Sequence, residues 1–303
     1  MTRRGALPPS PVILLTGADG QVGWEVQRAV SQFGSIVALR RSDVDLADSA
    51  ALRNIVRQVR PTIIVNAAAY TSVDQAEDER TRAFAVNADA PALLAEEAAK
   101  LGALLVHYSS DYVFDGENLT PYSEQDPTRP LGVYGASKLA GEEAVAAAGG
   151  RHVILRTSWV YASRGRNFLQ TMRRLARERD EMRVVDDQVG VPTSARLVAN
   201  VTALVLARGQ DPAVPTDNTG LYHLAARGTT TWFGFAQRIL ALDPDRAEHR
   251  CHDITPIPTA AYPTRAPRPR YSVLDTAKLE RTFHVRMPEW TDQLELVMSE
   301  VGR

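Results

Sequence analysis

The chain has 303 residues, 44% of them hydrophobic, enough to bury two lobes. Its 35 Lys+Arg against 36 Asp+Glu leave a formal net charge of −1, which excludes a global pull toward nucleic acid or an anionic membrane, so any anion site must be local. The single cysteine, Cys251, excludes an internal disulfide and fits a reducing, cytoplasmic setting; no catalytic motif surrounds it. Residues 1–10 lack the apolar run of a signal peptide and read as a mobile tail. No run of about 18 apolar residues exists for a membrane span.

In chain order, Val12-Ile13-Leu14-Leu15 reads as a buried strand and 21–33 as a helix with apolar spacing near the helical period. Then come a strand at 36–39, a helix at 50–59, a strand at 63–65 and an Ala-rich helix over 80–101. A strand at 104–106, a helix over 132–148 and a strand at 153–155 follow. Continuous apolar strands alternating with helices predict an α/β fold, a Rossmann-type doubly wound parallel sheet covered on both faces. Past Trp159 the rhythm changes to a basic helix over 168–178 and short strands at 184–185 and 221–224. The five prolines in 255–270 exclude a regular helix or a central strand there. This pattern predicts a nucleotide-binding domain over 11–160, a return to it around 195–230, and a smaller substrate-binding lobe over 161–303.

Gly17, Gly20 and Gly23 recur at every third position between the first strand and the first helix. The first two permit a tight turn and close approach of backbone to a pyrophosphate; the third lets helix and strand pack closely. The helix start adds free N–H groups and partial positive charge. An ordinary turn has the same glycines, but here a strand precedes and an amphipathic helix follows. Arg40-Arg41 follow the second strand, where an acid would select the ribose 2′-hydroxyl of NAD and a guanidinium suits a 2′-phosphate. This favours NADPH, with NADH left open; a solvated basic pair is the plainer alternative. Asp45 and Leu46 are placed to flank the adenine, and Ala67, Ala68 and Ala69 are small enough for a cofactor to lie on the sheet edge.

Tyr134 and Lys138 share a helix face one turn apart. A free phenol has a pKa of about 10, and a nearby ammonium is expected to lower it. The lysine can also hold ribose hydroxyls. Ser110, just past the strand at 104–106, can hydrogen-bond a carbonyl. Together the three fit carbonyl reduction: hydride from nicotinamide, charge on oxygen met by Ser110 and Tyr134, and a proton from Tyr134.

These features resemble the extended short-chain dehydrogenase/reductases. Further stretches at 66–74, 109–116, 155–161, 165–168, 187–193 and 258–275 narrow the likeness to the dTDP-4-dehydrorhamnose reductase family. The resemblance implies NADPH-dependent reduction of the C4 ketone of dTDP-4-dehydro-β-L-rhamnose to dTDP-L-rhamnose. By it Tyr134 is the proton donor, Ser110 and Asp111 touch the sugar, and Trp159 lines its pocket. Gly20, Gln21, Val22, Asp45, Leu46, Ala69, Tyr70, Thr71, Tyr108 and Lys138 contact cofactor. Trp159 also reads as a core aromatic.

Some family members bind Mg²⁺ through glutamates near a dimer interface. Glu25 and Glu300 match such positions, but Arg196 stands where a third glutamate is expected, and a guanidinium repels a hard cation. This argues against the metal and the metal-linked dimer; monomer and homodimer both stay open. Arg166, Arg265, Arg268 and Arg270 are candidates for the substrate diphosphate. His107 and His223 read as structural, and the acids at 74–79 and Glu142-Glu143 as solvated helix faces. The rivals are an epimerase of the same fold, disfavoured by Arg40-Arg41, and a cofactor-binding regulatory subunit without turnover.

Overall fold

The computed structural model describes residues 10–208 and 218–301. The tail expected over 1–10 lies outside them except for Ser10, as does the middle of the return expected over 195–230. β1 (Val12–Thr16), α1 (Gln21–Ala29), β2 (Ser35–Leu39), α2 (Ser49–Val59) and β3 (Ile63–Asn66) open the chain. α3 (Val73–Asp78), α4 (Arg80–Phe84) and α5 (Ala90–Leu101) cross to β4 (Leu104–Ser110), and α6 (Val133–Ala147) to β5 (His152–Thr157). Then come β6 (Val160–Tyr161), α7 (Phe168–Glu178), β7 (Glu181–Val185), β8 (Val189–Gly190), β9 (Thr193–Ser194), α8 (Ala195–Arg208) and β10 (Gly220–His223). β11 (Thr230–Thr231), α9 (Trp232–Leu242), β12 (Asp253–Ile257), α10 (Ala277–Phe283) and α11 (Trp290–Met298) end it.

The main sheet has six strands in the order β10-β5-β4-β3-β1-β2, and every pair is parallel. Both faces are covered, so β1 alternates between two cores. Ile13 and Leu15 join Val65, Val106 and Val198 on one side. Leu14 joins Ile64, Leu105 and Leu94 on the other. The strand order reverses beside β1, which opens a crevice at the carboxyl ends of the strands. β10 at the sheet edge and α8 packed on α1 both come from beyond residue 160.

Two segments differ from expectation. The helix expected over 80–101 is broken by a π turn, Ala85–Asp89. Within it Asn87 turns its side chain to the backbone N–H and C=O of Tyr70, at 2.8 and 3.0 Å. Its carbonyl approaches Gly141 so closely that a Cβ there would lie 2.1 Å away. An unbroken helix would lose one of these contacts. The proline-rich tract begins in a strand: Pro256 lies in β12, which pairs with β7 alone, so its missing N–H faces no second neighbour.

Candidate active site

The glycine turn is built by close approach. Gly17 has φ +72, and an added Cβ would lie 2.6 Å from Ala68 N; at Gly23 it would lie 2.1 Å from Gly17 O. A side chain at either would push β1, α1 and the Ala67-Ala68-Ala69 segment apart. At Gly20, the N-cap of α1, no side chain caps the helix and its first turn holds no acid, so its N–H groups suit an anion. Gln21 accepts a hydrogen bond from Asn167 at 2.8 Å, which draws the 162–167 loop over this turn. Val22 is half-buried beside it.

Arg40 and Arg41 are exposed past the end of β2, and Arg40 lies 3.3 Å from Asp19 of the glycine turn. Asp45 accepts Arg82 on both oxygens at 2.8 Å. The backbone N–H of Ala47 and then Arg82 hold its carboxyl below the usual range. Leu46 is buried in the apolar core. Tyr70 is fastened by Asn87 and donates to Glu79 at 3.1 Å, while Thr71 is exposed. Tyr108 turns its hydroxyl to Thr202 of α8 at 2.7 Å, so its backbone is what faces the catalytic helix.

Ser110 ends β4, and its hydroxyl donates to Asp111 Oδ1 at 3.0 Å. It also shares a hydrogen bond with the Tyr134 phenol. The Tyr134 ring stands edge-on to Tyr112, with centroids 5.6 Å apart. Burial pushes the phenol up to about 12, opposed by Ser110. This corrects the expectation that Lys138 lowers it: here the Lys138 ammonium is buried and donates to the Tyr108 carbonyl at 2.6 Å. Burial brings Lys138 down to about 8 against the opposing field of Glu142. The buried Asp111 carboxyl is pushed up to about 6 by desolvation, opposed by Ser272 and Ser110.

Trp159 has φ 43, a left-handed conformation that a bulky residue rarely adopts. Its indole stacks on Trp232 with centroids 3.6 Å apart and planes 8° apart, over Gly190. It is half-buried at the carboxyl edge of the sheet, so both readings of its sequence have a physical basis.

Of the acids read as solvated faces, Glu143 is exposed, but those at 74–79 and Glu142 are engaged, which corrects that expectation for them. Asp74 accepts Ala266 N at 3.1 Å and Arg268 at 2.9 Å. Asp78 pairs with Arg265. Glu77 accepts the Val133 N–H at 2.8 Å and so caps α6, the helix that carries Tyr134. Glu142 is buried and holds Arg156 through two bonds of 2.9 and 2.7 Å. Arg265 and Arg268 therefore clamp the proline-rich strap to α3, leaving Arg166 and Arg270, both exposed, as the freer cations of the four. His107 is buried with Nδ1 on Asn66 at 3.1 Å, and desolvation keeps it well below the usual histidine range. His223 is fixed by the Tyr122 carbonyl at 3.0 Å, and burial, followed by Arg156, brings it down to about 3.

Reading the sequence missed Glu77, Asn87, Trp232 and the Glu142–Arg156 pair. The helical spacing of Tyr134, Lys138 and Glu142 was a usable signal for the last; no local pattern marks the others. Arg196 joins Glu25, at 3.4 Å, to Glu300 within this chain. No group of three metal-ligating side chains is found among the described residues, and none of their helices is long and apolar enough to cross a membrane.

The chain matches the family model described as RmlD substrate binding domain over residues 11–303. A dTDP-4-dehydrorhamnose reductase of Burkholderia thailandensis is 48% identical over 282 residues, 92% of this chain and 95% of that one. Its counterpart in Escherichia coli K12 is 43% identical over 296 residues, 95% of this chain and 97% of that one. The crystal structure of the Bacillus anthracis reductase in complex with NADP superposes with TM-score 0.88 at 34% identity, covering 96% of this chain and 99% of that one. A UDP-glucose 4-epimerase of Thermus thermophilus, with TM-score 0.79 at 20% identity, shares the fold alone. The chain belongs to the dTDP-4-dehydrorhamnose reductase family of NAD(P)H-dependent oxidoreductases.

Proposed function

We propose that this protein reduces the C4 ketone of dTDP-4-dehydro-β-L-rhamnose with NADPH, giving dTDP-L-rhamnose. The observation that carries the reading is the convergence of Ser110, Tyr134 and the buried Lys138 at the carboxyl end of β4, on the same edge of the parallel sheet as the glycine turn after β1.

The residues fit a dinucleotide. The uncapped start of α1 suits the pyrophosphate, Arg40 and Arg41 the 2′-phosphate, and Ala67, Ala68 and Ala69 a flat ring system at the sheet edge. When bound, NADPH supplies the hydride. Lys138, one turn along α6 from Tyr134, would hold ribose hydroxyls. Ser110 and Tyr134 meet the oxygen of the ketone as its charge grows, and Tyr134 gives it the proton. A phenol at about 12 keeps its proton at neutral pH until the oxygen beside it becomes basic enough to take it. The indole of Trp159, backed by Trp232, offers a flat wall for a sugar face. Arg166 and Arg270 are placed for the diphosphate.

The reading is tested by incubating the protein and NADPH with a panel of dTDP- and UDP-linked 4-keto-6-deoxy sugars. The expected result is NADPH oxidation matched mole for mole by dTDP-L-rhamnose. Cofactor binding without oxidation in any member of the panel would instead support the regulatory reading.

A further inference from the structure

The reduction scheme uses one buried acid, expected to touch the sugar, in no proton step. Asp111 follows Ser110, is 1% exposed, and buries its Oδ2 without a hydrogen-bond partner. Its Oδ1 accepts the Ser110 proton at 3.0 Å. Ser110 Oγ in turn accepts the Tyr112 N–H at 3.2 Å. A serine hydroxyl has one proton and two lone pairs. A carboxylate can only accept, so an ionised Asp111 takes that proton and Ser110 has none to offer a ketone. A neutral Asp111 reverses the bond. Ser110 then accepts twice, from Tyr112 and Asp111, and donates once, on the side where the Tyr134 phenol and the ketone oxygen lie.

We propose that Asp111 works as a neutral acid, a positioning residue whose own proton turns the Ser110 hydroxyl toward the substrate oxygen. The inference rests on the ketone reduction proposed above. Asp111 keeps its proton through turnover, so the proton consumed still comes from Tyr134. A negative Asp111 would also oppose the charge growing on the ketone oxygen. The charged and titratable groups around it are Tyr112 on its own turn, Tyr134 and Lys138 on α6, and Arg268 of the strap, paired with Asp74 of α3 at 2.9 Å. Lys138 donates to the Tyr108 carbonyl and Arg268 to Asp74, so the nearest cations are engaged elsewhere. Burial raises the acid against the opposing hydrogen bonds of Ser272 and Ser110, and a bound sugar that displaces water pushes the same way as burial.

The sign is definite. The productive form is protonated, so activity is present below the Asp111 pKa and lost as pH rises through it. The test is kcat/KM against pH at saturating NADPH. Wild type is expected to fall first through about 6 and again, as Lys138 loses its proton, through about 8. In Asp111→Asn the amide N–H donates to Ser110 as the neutral acid does. Its plateau drops by up to about tenfold, but the first fall disappears and the second stays. In Ser110→Ala the first fall shrinks to what repulsion between an ionised Asp111 and the ketone oxygen leaves, and adding Asp111→Asn removes that remainder. A first fall that survives in Asp111→Asn, or is undiminished in Ser110→Ala, with NADPH binding intact, overturns the proposal.

Infrared difference spectra of the complex with NADP⁺ and dTDP-L-rhamnose read the same group without turnover. Wild type is expected to show a protonated-carboxyl stretch that Asp111→Asn lacks, and a wild type without that band overturns the proposal. Failure of the wild type to oxidise NADPH with any 4-keto sugar nucleotide would overturn the reductase reading itself, and the two failures are distinguishable.

Discussion

The phenol of Tyr134 holds its proton at neutral pH because burial keeps it up at about 12, with only Ser110 pulling the other way. It is therefore a loaded donor, and its weakness as an acid is overcome only where an alkoxide forms beside it. Tyr134→Phe is expected to lower kcat at least about a hundredfold while NADPH still binds, measured by fluorescence titration beside initial rates. Near-normal turnover would remove Tyr134 from the acid role. Arg40→Ala is expected to weaken NADPH about tenfold or more and NADH little, because a guanidinium distinguishes the two cofactors only at the 2′-phosphate. Equal losses would show that Arg40 does not face that group. These residues were legible in the sequence because each lies next to a strand end or on one helix face. Protonation states were not, since they follow from burial: the expected downward pull of Lys138 on Tyr134 gives way to desolvation.

Among elements, α6 matters most, and its position is set from outside. Gly132 offers no side-chain cap, and Glu77 of α3 supplies the missing acceptor to Val133. The buried Glu142–Arg156 pair then anchors the next turns to β5. Glu77→Ala is expected to cost about 1 kcal/mol in chemical unfolding, as lost helix caps do. The freed first turn should also lower kcat more than it raises the Kd for NADPH. Full activity at reduced stability would make Glu77 purely structural. The strand-helix alternation was readable in the apolar runs, and 168–178 agrees with its helix to the residue. The π turn at Ala85–Asp89 was not, because it answers contacts with Tyr70 and Ser137 that are distant in sequence. Acids at 74–79 look solvated on a short amphipathic helix; their partners, Val133, Arg265 and Arg268, lie far along the chain.

Across the whole molecule, the strap after β12 ties the segment between β7 and β8 to α3. Thr259 donates to Asp187, between β7 and β8, at 2.8 Å, and Arg268 to Asp74 of α3 at 2.9 Å. Just past Arg268, the Arg270 carbonyl and the Ser272 N–H bracket Val189, at 2.7 and 2.8 Å. This path carries the strap past Tyr112 and Asp111, which makes its tether the element expected to shape the proposed sugar side of the cleft. Asp74→Ala is expected to raise KM for the sugar nucleotide several-fold while the Kd for NADPH stays within about twofold, because the lost contacts lie away from the glycine turn. Proline density in the sequence predicted an irregular crossing, but which acids hold it depends on folding.

The account stands or falls on where the hydrogen goes. NADPH carrying deuterium at the transferred position of nicotinamide C4, given with dTDP-4-dehydro-β-L-rhamnose, should yield dTDP-L-rhamnose with deuterium at sugar C4, read by mass spectrometry and NMR. Product without deuterium at C4, or labelled NADPH left unconsumed by protein that binds it, would contradict the account.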